Sequence, residues 1–260
     1  MSGSDLLLHL TTNVRLPCSV WRYVERFAAG RLGKGNGAST CDWETAVCAH
    51  LFGGYPRIAL DVGANVGDWT ASLRKIAPEA AVHIFEPSTA ARESLLQRFR
   101  DCDGISIHHQ AVSDYTGEAK LYSDASGSPL SSLSRRELGH LGIRLDCHET
   151  VAVTRLDELW PHFGATEIDW VKLDVEGHEL SALRGLGARL ANVRLIQFEF
   201  GGCNLDTRTN WKDFWSFFSL AGWQLHRISP SGPRRIKKYR EIDEAYRTTN
   251  VVALRCGMSH

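Results

Sequence analysis

The sequence lacks any run of about 18 consecutive apolar residues, the least that a membrane-spanning helix requires. Its first residues also lack the basic start and the long apolar segment of a secretory signal. Basic and acidic residues balance at 30 each, so the chain has no overall charge that would attract nucleic acid or an anionic membrane. We therefore expect a cytoplasmic protein with neither nucleic acid nor membrane among its partners.

Closely spaced cysteine pairs are also absent. The seven cysteines are scattered, and no two are spaced as C-x-x-C. Their odd number and their spacing argue against a disulfide framework and against a zinc site, so we expect reduced thiols. One cluster of positive charge, residues 233–240, interrupts the even balance, and we interpret it as a solvated turn and strand edge.

What the sequence does contain is a regular alternation from residue 57 onward. Short apolar runs alternate with amphipathic segments, which is typical of parallel strands joined by crossover helices. With 43% hydrophobic and 23% charged residues, the chain can bury one sizeable core. We predict a doubly wound α/β sheet of the Rossmann-like kind. The predicted strands are residues 57–62, 81–86, 105–110, 168–174, 193–200, 223–228 and 249–255.

Two regions depart from this alternation. Residues 1–55 contain helical patterns with a glycine-rich break, and we expect an N-terminal helical cap beside a ligand-binding domain of residues 56–260. Within that domain, the segment 123–148 is a long loop between two alternating, strand-like stretches. Such a loop over the expected active-site face could act as a substrate lid.

The segment "DVGANVG" ends the first predicted strand, where open α/β sheets bind their ligands. Gly63 and Gly67 tolerate a positive φ and remove the Cβ that would collide with a ligand. A nicotinamide site prefers G-x-G-x-x-G, but Asn65 replaces its second glycine and Asp68 puts an acid at the mouth. The corner therefore disfavours a pyrophosphate.

A cationic nucleoside without phosphate suits this corner better. Asp61 can pair with an ammonium group, and Glu86, at the end of the second strand, can accept both hydroxyls of a ribose. S-adenosylmethionine has both features, and Gln110 and Ala111 would flank its adenine. The candidate cofactor-binding residues are Asp61, Gly63, Ala64, Asn65, Gly67, Glu86, Gln110, Ala111 and Asp174.

An ordered set of motifs resembles the FkbM family of S-adenosylmethionine-dependent methyltransferases. The set comprises "DVGANVGDWT", "IFEPS", "AVSDYTGEAKLY", "SSL", "VTRLDEL", "IDWVKLDVEGHELSALRG", "LIQFEF" and "NVVAL", and it covers roughly residues 56–255. The resemblance implies a class I methyltransferase fold with a mostly parallel seven-stranded sheet whose last strand is antiparallel. It also implies O-methylation of a sugar, glycoside or polyketide-type natural product. The first 55 residues lie outside it.

An alcohol needs a proton acceptor before it attacks a methyl group. Asp174, Glu176 and His178 alternate from the end of the fourth strand, so one or two of them should point into the pocket. Asp174 is our first choice; the resemblance implies that acids at 174, 176 and 179 are characteristic, whereas position 178 varies. Two acids and a histidine could also hold a divalent cation, and that alternative stays open, although we assign no metal.

Two further residues are candidates for contact with a hydroxylated substrate. Glu199 is an acid within the apolar segment "LIQFEFG", where an unpaired carboxylate is costly. An acceptor hydroxyl or an internal partner would meet that need. Ser132 belongs to the "SSL" motif of the long loop, and the resemblance makes it our choice from that loop.

Other functions remain open at this point. The acceptor could be a small amine, and the chain could be a non-catalytic S-adenosylmethionine-binding homologue. A nicotinamide oxidoreductase is the weakest alternative because of Asn65 and Asp68. A homodimer is possible, and the sequence does not identify the acceptor.

Overall fold

Eleven strands form two sheets in the computed structural model, which describes residues 16–35 and 40–256. The parts of the predicted N-terminal cap at 1–15 and 36–39 lie outside the described residues. In chain order the strands are β1 Ile58–Val62, β2 Ala81–Phe85, β3 Ile105–His108, β4 Ala111–Val112, β5 Gly117–Ser123, β6 Cys147–Thr154, β7 Ile168–Leu173, β8 Val193–Phe200, β9 Trp223–Ser229, β10 Gly232–Ile236 and β11 Thr249–Arg255.

Helices flank the large sheet and connect its strands. Within the described ranges, none of them is long and apolar enough to cross a membrane. The α-helices are α1 Cys18–Arg31, α2 Cys41–Phe52, α3 Asp68–Ile76, α4 Thr89–Arg98, α5 Leu156–Leu159, α6 Glu179–Arg184, α7 Cys203–Asp206 and α8 Trp211–Leu220. Short 3₁₀ turns lie at Gly139–Leu141, Trp160–Phe163, Gly187–Asn192 and Glu241–Asp243.

The large sheet has eight strands in the order β3-β2-β1-β7-β8-β11-β9-β10. Neighbours from β3 to β8 are parallel, whereas β11 runs antiparallel to both β8 and β9. This order, with its antiparallel last strand inserted beside β8, is the predicted class I methyltransferase fold, which is therefore confirmed. The sheet carries one strand more than predicted, because the basic segment after β9 folds back as the edge strand β10.

Both faces of this sheet are covered, so its central strands are buried along their whole length. All five residues of β1 and all six of β7 are buried. One face packs against α2 and α3 around Trp170, and the other packs against α8, where Phe198 stacks on Phe214 and Phe218. Burial on both faces explains why these strands have continuous apolar runs rather than alternating ones.

The N-terminal segment contributes one helix to this sandwich and one to its surface. Helix α2 buries Val47, Cys48 and Phe52 against the sheet. Helix α1 buries no residue, and its Glu25 makes an ion pair with Arg247, far along the chain.

The long predicted loop is the connection of a hairpin in the small sheet. Strands β5 and β6 pair in antiparallel register from Gly117 opposite Val153 to Ser123 opposite Cys147, and β4 joins β6 in parallel. The intervening residues 124–146 fold back, since the backbones of Tyr122 and Ser132 form an isolated bridge. This arrangement places the loop over the carboxyl ends of β7 and β8.

Candidate active site

The turn after β1 depends on two glycines with positive φ. Gly63 has φ +78°, and a Cβ added there would overlap the backbone carbonyl oxygen of Asp174. Gly67 has φ +83°, and its added Cβ would meet the rings and methyl groups of Phe99 and Leu95. The prediction that both glycines lie against a ligand stays a prediction. Their missing side chains make room for neighbouring parts of the chain, although Gly63 also lines a cleft.

Glu86 holds the next part of this turn. Its Oε2 accepts a hydrogen bond from the backbone N–H of Asn65 at 2.8 Å, and its Oε1 accepts one from that of Ser88 at 2.8 Å. Asn65 has φ 50°, a left-handed conformation that asparagine tolerates better than most residues. Glu86 is 5% exposed, and burial raises the pKa of its carboxyl, whereas these two hydrogen bonds oppose the rise. Each oxygen keeps acceptor capacity for a further donor.

Lys172 lies at the centre of the site and was not among the predicted site residues. Its Nζ lies 3.5 Å from Asp61 Oδ1, 3.3 Å from Asp174 Oδ2 and 3.5 Å from the Gly63 carbonyl oxygen. Burial lowers the pKa of Lys172, but the carboxylates of Asp174 and Asp61 outweigh it, so the pKa lies above its ordinary value. Asp61, which is 0% exposed, also accepts the Thr70 hydroxyl at 2.6 Å. One ammonium thus joins the first and fourth strands of the predicted order.

This ion pair changes the interpretation of Asp61. The sequence predicts that Asp61 pairs with an ammonium group of a ligand, whereas in the structure the cation beside it is internal. Asp61 is fully buried, beside a cleft that Gly63 lines. In the structure Asp61 pairs with Lys172, and contact of Asp61 with a ligand stays a prediction.

A tight turn follows β7 and is held by Glu179. Its Oε1 accepts hydrogen bonds from the backbone N–H groups of Val175 and Gly177, both at 3.1 Å. Within this turn, Glu176 has φ 50° and Gly177 has φ 100°. Glu179 is 0% exposed, and burial raises the pKa of its carboxyl to about 7. It therefore fixes the geometry of the turn that carries the predicted catalytic residues.

This raised pKa predicts a pH-dependent stability difference between the wild type and Glu179→Gln. The ordinary value of 4.5 applies to the unfolded chain, so between that pH and about 7 the native state binds the extra proton. The free energy of unfolding of the wild type, relative to the variant, should therefore fall by about 3 kcal/mol as pH rises across this range. Urea titrations from pH 4 to 8 measure it. A stability difference between the wild type and Glu179→Gln that stays constant across this pH range would contradict the assignment.

Glu176 is neutralised by an arginine from the long loop. Arg136 forms an ion pair with Glu176 through Nη1, and its Nε lies 3.3 Å from Asp206 Oδ2. Burial and the nearby Asp174 raise the pKa of Glu176 to about 7 against the opposing effect of Arg136. The arginine thereby joins the loop to the turn after β7 and to helix α7.

His178 and Ser132 fasten the same loop. His178 Nε2 lies 3.0 Å from Ser134 Oγ, and Ser132 Oγ donates to the Glu176 carbonyl oxygen at 2.9 Å. Burial lowers the pKa of His178. From the sequence, His178 is predicted to be a possible base, and Ser132 is predicted to bind the substrate. The structure places His178 away from the cleft, with its ring engaged by the loop, and commits the Ser132 hydroxyl to the backbone.

Two clefts meet at Glu176. The first lies at the carboxyl ends of β1, β2 and β7, and the second lies beside the ends of β7 and β8. Glu176 lines both. The predicted residues that line the first are Gly63, Asn65, Glu86, Gln110, Ala111, Ser132, Asp174 and Glu176, and Glu199 lines the second.

The second cleft is built from the two regions that depart from the strand-helix alternation. The long loop contributes Arg136 and Leu138, and the N-terminal segment contributes Gly35. The remaining wall comes from the chain after β8 and from the segment before β11, including Tyr246 and Arg247. No sequence motif predicted that these segments would lie together, because they are far apart in the chain.

The lining of the first cleft is acidic. Its polar wall carries the carboxylates of Glu86, Asp174 and Glu176, and a phosphate placed among them would meet like charge. Glu86 lies at the end of β2, where a buried carboxylate can bind ribose hydroxyls. Across residues 16–35 and 40–256, no group of three or more His, Cys, Asp or Glu side chains is arranged to hold a metal ion.

Comparison with known proteins identifies relatives of the central part of the chain. A family model described as the methyltransferase FkbM domain matches residues 61–225. The 2-O-methyltransferase NoeI of Sinorhizobium fredii is 27% identical over 152 residues, which cover 55% of this chain and 63% of NoeI. The AMB antimetabolite synthetase AmbE of Pseudomonas aeruginosa is 30% identical over 178 residues, covering 55% of this chain and 8% of AmbE. The chain thus spans less than two thirds of the length of either relative.

Solved structures with a similar fold include methyltransferases of several kinds. An O-methyltransferase from Bacillus cereus in complex with SAH has a TM-score of 0.45 and 11% identity, covering 96% of this chain and 97% of that one. An rRNA methylase from Streptococcus thermophilus has a TM-score of 0.45 and 10% identity, covering 82% and 93%. Likeness at this level carries no argument about substrate, and the fold assignment depends on the strand order.

Proposed function

Because the FkbM domain model covers more than half of it, the chain belongs to the FkbM family of methyltransferases, and we propose that it methylates a hydroxyl of a small molecule with S-adenosylmethionine. The observation that carries this proposal is the first cleft. It lies at the carboxyl ends of three parallel strands and is lined by the carboxylates of Glu86, Asp174 and Glu176, as a phosphate-free cationic nucleoside requires.

We assign the first cleft to the cofactor. Glu86 would accept hydrogen bonds from the ribose, and Gln110 with Ala111 would flank the adenine at the end of β3. Asp174, held by Lys172, would face the sulfonium end. When bound, the cofactor supplies an electrophilic methyl group. The protein's task is then to align a hydroxyl oxygen with that group, to exclude water and to accept a proton.

We assign the second cleft to the acceptor. It adjoins the first at Glu176, so a ligand seated there reaches the site of methyl transfer. Tyr246 offers an aromatic face, and Arg136, Arg247 and Glu199 offer donors and acceptors that suit a hydroxyl-rich molecule such as a sugar or glycoside. The 2-O-methyltransferase activity named for NoeI supports a hydroxyl as the acceptor group. A polyketide-type natural product is the other acceptor class that we retain.

Calorimetry tests the cofactor assignment. The wild type should bind S-adenosylmethionine and S-adenosylhomocysteine and should not bind NADH. Glu86→Gln should weaken binding of both by roughly 1.5–3 kcal/mol, because an amide cannot replace a charged acceptor of four hydrogen bonds. The exposed Glu118→Gln is the matched control and should bind like the wild type. Binding of NADH alone would overturn the proposal.

A transfer assay tests the acceptor assignment. Radiolabelled S-adenosylmethionine is offered with a panel of nitrophenyl glycosides and with a panel of small primary and secondary amines. The proposal expects label on glycosides. Label on the amines alone would establish an N-methyltransferase, and tight cofactor binding without any transfer would favour a non-catalytic homologue.

A further inference from the structure

Each of the predicted proton acceptors already has a partner. Asp174 pairs with Lys172, Glu176 with Arg136, and His178 lies against Ser134. A proton acceptor must reach the hydroxyl that it deprotonates, so its carboxylate should be available in the acceptor cleft.

The register of the sheet brings another carboxylate beside Asp174. Strands β7 and β8 pair in parallel with Lys172 opposite Gln197 and Leu173 opposite Phe198. One step further along, Asp174 lies beside Glu199 at the carboxyl edge, and neighbouring strands are about 4.8 Å apart. Side chains alternate along a strand, so Glu199 shares the face of Gln197, and Asp174 shares that of Lys172. The two acids thus stand side by side between the clefts.

Glu199 differs from the other buried and half-buried acids of the site in having no partner. Its carboxylate makes no hydrogen bond or ion pair within the described part of the chain, yet it lines the second cleft. Glu86 and Glu179 each accept two backbone hydrogen bonds. The remaining buried and half-buried acids pair with Lys172 or Arg136, and these are Asp61, Asp174, Glu176 and Asp206. A half-buried carboxylate without a partner is costly to keep, which indicates a ligand-directed role.

The surroundings of Glu199 also favour proton uptake. Burial raises the pKa of Glu199 well above its ordinary value, and the charges of Asp174, Glu176 and Glu179 raise it further, whereas Lys172 lowers it. A base works best when its pKa lies near the working pH rather than far below it. The other charged or titratable groups lining the second cleft are Arg136, Glu137, His140, Cys203, Asp206, Tyr246 and Arg247.

We propose that Glu199 is the general base that takes the proton from the acceptor hydroxyl in the second cleft. In the transfer, the hydroxyl oxygen forms a bond to the methyl carbon while the bond from that carbon to sulfur breaks and its electron pair stays on sulfur. The O–H bond breaks, and its proton moves to the Glu199 carboxylate and then to solvent. This inference depends on the proposed hydroxyl methylation.

Glu199→Gln is the decisive variant. Because the carboxylate has no partner to lose, the variant should fold with a thermal stability at or above that of the wild type. It should bind S-adenosylhomocysteine with unchanged affinity, since Glu199 lies outside the cofactor cleft. With a glycoside found in the transfer assay, kcat should fall by roughly 10²- to 10⁴-fold. The wild-type rate should increase with pH up to the pKa of the base, and the variant should lose that dependence.

A second readout does not need an acceptor. Carbon-13 NMR of protein labelled at glutamate carboxyls should show one signal that disappears in Glu199→Gln and titrates well above the ordinary value of about 4.3. The signal assigned to Glu199 should remain in the spectrum of Glu118→Gln. Titration of Glu199 near its ordinary value would overturn the inference, whether or not an acceptor is known. A kcat of Glu199→Gln equal to that of the wild type would also overturn the inference. Absence of transfer to any glycoside, with the titration as expected, would instead count against the proposed function.

Discussion

Replacing Gly63 with alanine should destabilise the protein by more than about 4 kcal/mol or prevent folding, the range of the most damaging substitutions. The added Cβ would overlap the Asp174 carbonyl, and neither backbone can yield easily. Gly63 follows β1, and its own N–H donates to the Phe85 carbonyl oxygen, so the turn is tied to the sheet. The measurement is the free energy of unfolding in urea, together with the soluble yield.

Gly222→Ala is the matched control for this steric effect. Gly222 has φ +76°, close to that of Gly63, but nothing lies within 4 Å of an added Cβ. It should therefore show only the cost of a left-handed alanine, roughly 1–2 kcal/mol. If both variants lose the same free energy of unfolding, the positive φ alone would account for the loss. The close approach of Gly63 to the Asp174 carbonyl would then not contribute.

Lys172→Met should destabilise the protein by about 3–5 kcal/mol, as expected when one partner of a buried ion pair is removed. The variant leaves the fully buried Asp61 with the Thr70 hydroxyl as its remaining hydrogen-bond partner among the described residues, and it frees Asp174 to turn away from the cofactor cleft. Binding of S-adenosylhomocysteine should therefore weaken as well. Chemical unfolding and calorimetry on the same preparation separate the two effects.

Two further variants test whether the loss comes from an unpaired buried charge. Lys75→Met removes an exposed ion pair with Asp42 and should cost no more than about 1 kcal/mol. The double variant Lys172→Met with Asp61→Asn removes both charges and should recover part of the stability that the single variant loses. A double variant less stable than the sum of its single changes would contradict the role assigned to Lys172.

Local patterns in the sequence were sufficient for the doubly wound α/β sheet, whereas the antiparallel last strand was expected only from the family resemblance. Buried strands such as β1 and β7 have continuous apolar runs, and the helices between them have apolar residues at helical spacing. The strand β10 was the exception, because Pro233 and its basic neighbours resemble a turn. Its place at the sheet edge explains why a strand can carry that composition, since edge strands tolerate proline and charge.

The contacts of the site could not be predicted in the same way. Lys172 belongs to an otherwise apolar strand, and its two carboxylate partners depend on the register of β1 against β7 and on the turn that follows. Arg136 reaches Glu176 from a loop whose path no periodic pattern describes. The glycines at 63 and 67 predicted a positive φ. The sequence did not show which atoms would lie in the space beside them.

Glu199 shows where the two kinds of information combine. An acid in an apolar segment indicated that a partner was needed, and two possibilities, an acceptor hydroxyl or an internal partner, were open. The structure supplies no internal partner in the described residues and places the acid on the wall of the second cleft. Sequence therefore located the residue, and the sheet register gave its relation to Asp174.

A crystal structure with S-adenosylhomocysteine bound tests the central claim, that the first cleft holds a phosphate-free nucleoside. The account predicts both ribose hydroxyls on the Glu86 carboxylate, the adenine beside Gln110 and Ala111, and the sulfur near Asp174, facing Glu199 and the second cleft. A nucleoside seated in the second cleft, or a ribose without contact to Glu86, would contradict it.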